Sequence, residues 1–175
     1  MLAATVKLLR EEGPAGVTVR SVAAAVGVSR QVVYTQFGSL GGLIDALYRE
    51  GFEQLRQSAA SITATGIDGV IAHGLAYRRF ALSNPELYQV MFERPFRGHT
   101  PSQDSRAAAI AAFEPLIHAV ASTGRDLEQA RSLALTLWAA GHGLVHLELQ
   151  GYFSSEPTTE DRYVTIVNGV LGDAR

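Results

Sequence analysis

The chain has 175 residues, 15 Lys+Arg against 17 Asp+Glu, 47% hydrophobic residues and no cysteine. The missing cysteines exclude a disulfide framework, a thiolate nucleophile and any Cys-ligated zinc or iron–sulfur site. The longest unbroken apolar run, Ala107 to Phe113, is too short for a membrane-spanning helix or a signal-peptide core of usual length, which leaves a soluble cytoplasmic protein as the expected class. A net charge of −2 argues against a wholly basic nucleic-acid coat, but averages hide patches. Before residue 51 there are 5 basic and 4 acidic residues, and after it 10 and 13.

Apolar spacing is helical almost throughout, and no strand-like alternation persists, so the expected fold is all-α with about nine helices. Leu2, Val6 and Leu9 mark a first helix, stopped at Glu11-Glu12-Gly13-Pro14 by a C-terminal glycine followed by a helix breaker. Thr18 stands where an N-cap would, and Val19, Val22, Ala23 and Val26 follow at i, i+3, i+4 and i+7, with Gly27 as the stop. Ser29 caps a third helix carrying Val33 and Phe37 inward. A fourth shows Leu40, Leu43, Ile44 and Leu47, then Phe52 and Leu55. Gly41 and Gly42 each cost a helix about 1 kcal/mol against alanine, so its start is expected to be loose. Longer helices are expected over about 67–83, 84–95, 102–123, 125–150 and 157–172. The Pro95 to Pro101 break, with Arg97, Gly98 and His99, reads as an exposed loop.

The stretch from Thr18 to Phe37 holds the sharpest chemistry. Small residues at Ala23 to Ala25 let two helices approach, and Gly27 permits the left-handed backbone of a tight turn between them. If Val19, Val22, Val26, Val28, Val33 and Phe37 face a core with Leu2, Val6 and Leu9, the opposite face carries Arg30, Gln31, Val32, Tyr34, Thr35 and Gln36. Arg can fork onto guanine and Gln onto adenine, while Val32 or the Thr35 methyl can meet a thymine methyl. The Tyr34 and Thr35 hydroxyls, with the helix starts at Thr18 and Ser29, suit phosphate oxygens.

This stretch resembles the DNA-binding domain of the TetR family of transcriptional regulators, in its helix-1 stripe, Thr18-Val19, Val22-Ala23, the Gly27-Val28-Ser29 turn, Tyr34, Phe37 and the fourth helix. The resemblance implies groove and phosphate roles for Arg30, Gln31, Val32, Tyr34, Thr35 and Gln36, with Thr18 and Arg20 as flanking phosphate contacts. One departure is Leu40, where family members commonly place a phosphate-binding lysine. A second is that Met1 opens directly on helix 1, without the basic arm many such regulators carry there. The implied domains are residues 1–45 for DNA and 46–175 for ligand binding and dimerisation.

The later helices are rich in aromatics and histidines. Tyr77 and Phe80 are followed by Tyr88, Met91 and Phe92, then by Phe113, Leu116 and Ile117, then by Trp138, His142 and His146. The run from Phe80 through Asn84-Pro85 to Phe92, with Trp138-Ala139-Ala140-Gly141-His142-Gly143, resembles the C-terminal domain of a TetR subgroup named for its Trp-His-Gly signature. That resemblance implies a helical pocket for a small, largely apolar ligand, lined by these residues with Phe52 and Leu55. It implies no cofactor. His142 and His146 have the spacing of two metal ligands, so a metal-responsive protein or a small helical enzyme is the alternative, yet Gly143 stands where a zinc protease has its catalytic Glu. Arg78 and Arg79 are candidates to meet an acidic ligand group. Glu148 is expected at a solvent edge or interface.

Ala130, Ala134, Leu137, Gly141, Leu144 and Glu148 give one long helix a face of partly small residues, and Val164, Val167, Val170 and Leu171 give the last helix an apolar stripe. Their burial in a two-fold four-helix bundle would make a homodimer, able to read palindromic operator half-sites.

Overall fold

The computed structural model describes residues 1–93, 95, 96, 98–153 and 158–172; Arg97, placed by the sequence in an exposed loop, lies outside them. Among the described residues the fold is all-α, with nine helices and no strand. They are α1 (Leu2–Gly16), α2 (Val19–Ala25), α3 (Arg30–Phe37), α4 (Leu40–Ser58), α5 (Gly66–Ser83), α6 (Pro85–Phe92), α7 (Gln103–Ala121), α8 (Leu127–Leu149) and α9 (Thr159–Gly172). No helix among them is long and apolar enough to cross a membrane.

By packing, the chain divides into two compact units, Met1–Glu53 with Asn84–Ile110, and Gln54–Ser83 with Ala111–Arg175. The first unit therefore takes up a segment far along the chain as well as the N-terminal helices.

In the first unit α1 breaks at Gly13, whose φ of 69° and ψ of −174° leave the helix before a last turn through Pro14. The inward face of α1 is Thr5, Leu8 and Leu9, whereas Leu2 and Val6 are only half-buried. The expected stripe is thus rotated, because Thr5 satisfies its hydroxyl on the Met1 carbonyl at 3.1 Å and can be buried. Val19, Ala23 and Val33 form a small core on which Met1, Val28, Phe37 and Leu40 pack. Full burial of a valine such as Val33, at 0% exposure, contributes about 1.5–3 kcal/mol.

The start of α4 is not loose. Ser39 Oγ accepts the Gly42 N–H at 3.0 Å, and the Ser39 carbonyl accepts the Leu43 N–H at 3.1 Å. Gly42 is there for space, since a Cβ would lie 1.9 Å from the Phe37 carbonyl oxygen. Further along α4, Tyr48, Phe52, Phe92 and Tyr88 form a chain of rings with successive centroids 4.9, 5.6 and 5.0 Å apart.

In the second unit α5, α8 and α9 pack on one another. Its core holds Val70, Ile117, Val120, Ala130, Ala134, Leu137, Tyr163, Val167 and Leu171. The small-residue face of α8 from Ala130 to Leu137 is filled from within the subunit, and so are Val167 and Leu171 of α9, whereas Val164 and Val170 of the expected α9 stripe are only half-buried. Tyr163 fills part of this core, its ring lying against both Gly74 and Gly141 where no side chain intervenes. Burial pushes the Tyr163 hydroxyl up to about 12.

A polar clamp closes the same three helices. Arg78 Nε donates to Glu148 Oε2 at 2.8 Å, Nη2 donates to Glu148 Oε1 at 2.5 Å, and Nη1 donates to Glu160 Oε1 at 2.7 Å. Glu148 is half-buried and paired, and Arg78 is not left for an acidic ligand; Arg79 is the exposed member of the arginine pair. The Arg78 bond holds the Glu148 carboxyl below its ordinary 4.5 against an opposing push from burial. A depressed carboxylate stabilises the fold above its unfolded value and loses that contribution as pH falls through the folded one. Thermal melts in acid should accordingly show wild type losing more stability below pH 4.5 than Glu148→Gln does. Parallel curves for the two would refute the clamp's contribution.

Candidate nucleic-acid interface

The α2 and α3 helices form a helix-turn-helix, and each of its boundaries has a local cause. Thr18 Oγ1 accepts the Ser21 N–H at 3.0 Å while Ser21 Oγ accepts the Thr18 N–H at 2.9 Å, a reciprocal capping box at the start of α2. At its end the Gly27 N–H reaches the Ala24 carbonyl at 3.2 Å and the Val28 N–H reaches that of Ala23 at 3.0 Å, a Schellman pair. That geometry needs the Gly27 φ of 69°. Ser29 then stands at the N-cap of α3 in extended backbone without a side-chain cap bond, and Gly38, at φ 74°, closes α3.

Within α3 only Val33 is buried, and Arg30, Gln31, Val32, Tyr34, Thr35 and Gln36 are all exposed. Val32 is 42% and Tyr34 47% exposed, and neither packs into the small core. The row joins a guanidinium, two amides, two hydroxyls and a branched methyl pair on one helix of eight residues, with no acidic residue in its first turn. Such a surface can donate to base edges and phosphates along a major groove. Arg20, on α2, and Ser29, just before α3, are also exposed. The Thr18 hydroxyl differs from the expectation, because the capping box already engages it.

Leu40 is half-buried on the Val19, Ala23 and Val33 core. A lysine could keep its methylene stem there with the ammonium outside. In a salt titration of DNA binding, Leu40→Lys should tighten the complex and raise the slope of log K on log salt by about 0.9, one added phosphate contact. An unchanged slope would contradict the reading of Leu40 as a lost contact.

The residues expected to line a ligand site fall into two sets, one in each unit. Phe52, Tyr88 and Met91 are buried in the first unit, with Phe92 half-buried beside them. In the second, Tyr77, Phe80 and Ile117 are buried, while Leu55, Phe113, Leu116, Trp138, His142 and His146 are half-buried. Tyr77 Oη and His142 Nδ1 share a hydrogen bond of 2.7 Å. Phe113 meets Trp138 edge-on at 5.9 Å, Trp138 lies 5.5 Å from His142, and the His142 and His146 rings stack at 6.5 Å and 19°. No group of three or more His, Asp or Glu suited to hold a metal occurs among the described residues. Sequence reasoning missed His73 on α5, half-buried four residues before Tyr77 and pushed by burial below the usual imidazole value.

Comparison with known proteins places both parts of the sequence in one family. Residues 1–47 match the model of bacterial regulatory proteins of the tetR family, and residues 70–169 match that of the tetracyclin repressor-like C-terminal domain. The uncharacterized HTH-type transcriptional regulator Rv0681 of Mycobacterium tuberculosis is 30% identical over 145 residues, 82% of this chain and 66% of that protein. This chain thus spans about two thirds of its length. Among solved structures, a regulatory protein designated SCO4313 superposes with a TM-score of 0.82 at 22% identity, covering 98% of this chain and 93% of that one. A TetR protein from Acinetobacter baumannii AYE, in complex with minocycline, superposes at 0.65 with 19% identity, covering 98% and 92%. With a helix-turn-helix that exposes a polar row on α3 and two family models covering both parts of the sequence, the chain belongs to the TetR family of bacterial regulatory proteins, whose members are transcriptional regulators and not enzymes.

Proposed function

We propose that the protein is a homodimeric, cytoplasmic transcriptional repressor that binds palindromic operator DNA through α3 and leaves it when a small, largely apolar molecule binds. The observation that carries this reading is the exposed row Arg30, Gln31, Val32, Tyr34, Thr35 and Gln36 over the buried Val33. Reading DNA is assigned to residues 1–45, and ligand binding and dimerisation to residues 46–175. Arg20 and Ser29 contact phosphates on either side of the groove, and Thr18 serves chiefly by capping α2.

The ligand meets the half-buried group of Phe113, Leu116, Trp138, His142 and His146, with Tyr77 fixing the His142 ring. The stretch from Trp138 to Gly143 supports placing the chain in the Trp-His-Gly subgroup. The minocycline complex of the Acinetobacter protein supports a small-molecule effector in this fold. The ligand shifts the equilibrium only through a difference in affinity between two states. We assign the differing element to α4, which runs from Leu40 in the reading head to Ser58.

The partner face moves from the one first expected. On α8, Leu135, Ala139, Gly143 and Leu147 recur at i, i+4, i+8 and i+12 and are all exposed, forming an apolar stripe with small residues at its middle. A second copy of α8 fits this stripe about a two-fold axis. Titrating the DNA upstream of the protein's own coding sequence should give a retarded complex that weakens as salt rises, with light scattering at micromolar protein showing a dimer. A monomer that retards no DNA would contradict the proposal.

A further inference from the structure

Two polar contacts tie residues 84–110 to the N-terminal helices inside the first unit. On α1, Arg10 Nε donates to Glu86 Oε1 at 2.6 Å and Nη2 donates to Glu86 Oε2 at 3.0 Å, the two-bond fork that makes an Arg–carboxylate pair directional. Glu86 lies in the first turn of α6, where the helix dipole favours a carboxylate, and its side chain is only 13% exposed. On α4, Asp45 Oδ1 accepts the Ser102 N–H at 2.9 Å and Oδ2 accepts the Ser102 hydroxyl at 2.7 Å. Ser102 Oγ also accepts the Ser105 N–H at 3.2 Å, so the same serine anchors the first turn of α7. Both carboxyls are held below their ordinary values. For Glu86 the Arg10 bond prevails over burial, and for Asp45 the bonds from Ser102 and Ser105, helped by Arg49, outweigh a burial effect in the other direction.

These contacts stand on either side of the helix-turn-helix in the sequence, one on α1 before it and one on α4 after it. Residues 84–110 are thus held to α1 and to α4 by separate polar contacts, alongside the ring packing of Tyr48 and Phe52 on Phe92 and Tyr88. We propose that Arg10–Glu86 and Asp45–Ser102 form a two-point mount by which residues 84–110 set the pose of α3, making Glu86 and Asp45 positioning residues for DNA recognition. The inference rests on the DNA-binding reading and adds to it a second element of control besides α4. None of the four residues belongs to the α3 row, so the mount acts on geometry and not through contacts of its own with DNA.

The test uses the full chain and DNA enriched by the wild-type protein from a random-sequence pool. Glu86→Gln should weaken binding about fivefold without changing the salt slope, and Ser102→Ala should do the same. Together they should lose more than the product of the two, because each alone leaves the other attachment. Arg10→Lys, which cannot fork, should fall between wild type and Glu86→Gln. The exchanged pair Arg10→Glu with Glu86→Arg should recover more than half of the loss on a logarithmic scale. Affinities within twofold of wild type for Glu86→Gln, Ser102→Ala and their combination would overturn the mount. So would tighter binding with a steeper salt slope in Glu86→Gln, which would show Arg10 released onto a phosphate. If the wild type enriches no DNA, the DNA-binding reading fails, and hydrogen exchange decides the mount by itself. Faster exchange of the α1 amides in Glu86→Gln at unchanged global stability supports it, and identical exchange overturns it.

Discussion

Replacing Arg30 and Tyr34 together by alanine should abolish specific DNA binding while leaving the protein folded. Both side chains are exposed on α3 and neither contributes to the Val19, Ala23 and Val33 core, so their removal opens no cavity. A bidentate arginine on a guanine is worth about 1–3 kcal/mol of discrimination, and a phosphate contact adds a salt-dependent share. The double substitution should therefore cost at least about a hundredfold in affinity, measured by fluorescence anisotropy on a selected operator. The melting temperature should stay within about 2 °C, as for surface substitutions away from caps and cores. Undiminished binding would remove α3 as the reading element. A large drop in melting temperature would instead mean that the row is structural.

The largest stability effect belongs to Gly74. An added Cβ there would lie 1.9 Å from Tyr163 Cε1, 2.2 Å from Cζ and 2.5 Å from the hydroxyl oxygen. Tyr163 is itself buried in the core of α5, α8 and α9, so the ring has no free space to yield. Overpacking of this kind costs about 3 kcal/mol, more than the roughly 1 kcal/mol that alanine gains over glycine in a helix. The matched control is Gly141→Ala. Its Cβ would meet Tyr163 Cε2 at 3.0 Å, close enough to need a shift of a few tenths of an ångström, which the helix-propensity gain can offset. Chemical denaturation should show Gly74→Ala strongly destabilised and Gly141→Ala within about 1 kcal/mol of wild type. Equal destabilisation of the two would mean that Tyr163 does not discriminate between the glycines as its ring position requires.

These cases show where reading residues alone succeeds and where it stops. The helix-turn-helix was legible because its signals are local: Thr18 caps, Gly27 turns, and the spacing of Val22, Val33 and Phe37 leaves a polar row on the other face. Helix ends later in the chain were legible for the same reason, as at Asn84-Pro85 before α6. Partners were not. The run Ala130, Ala134, Leu137 and Gly141 announces close packing against something, but only the folded chain shows the core of Val70, Ile117, Val120, Val167 and Leu171 around it, with Tyr163 against Gly141. Gly42 reads as a weakness until the Phe37 carbonyl is seen to need its missing side chain. Arg78 and Glu148 are 70 positions apart, and nothing in a helical period pairs them. The same holds for the joining of Asn84–Ile110 to the N-terminal helices, which depends on contacts between residues as distant as Arg10 and Glu86.

The near-neutral net charge of −2, which at first counts against nucleic acid, is compatible with this arrangement. On the proposed function, a slightly basic N-terminal stretch is joined in sequence to an acidic remainder, and a dimer would present two such stretches, so affinity would depend on paired half-sites more than on bulk charge.

The most direct measurement of the central claim is selection of DNA from a random pool by the wild-type chain, followed by sequencing of the enriched molecules. The account predicts a single inverted repeat with half-site centres about 34–36 Å apart or at a multiple of that spacing, retained by wild type and not by Arg30→Ala with Tyr34→Ala. A pool that stays random after repeated rounds, or one enriched equally by the double variant, would contradict it.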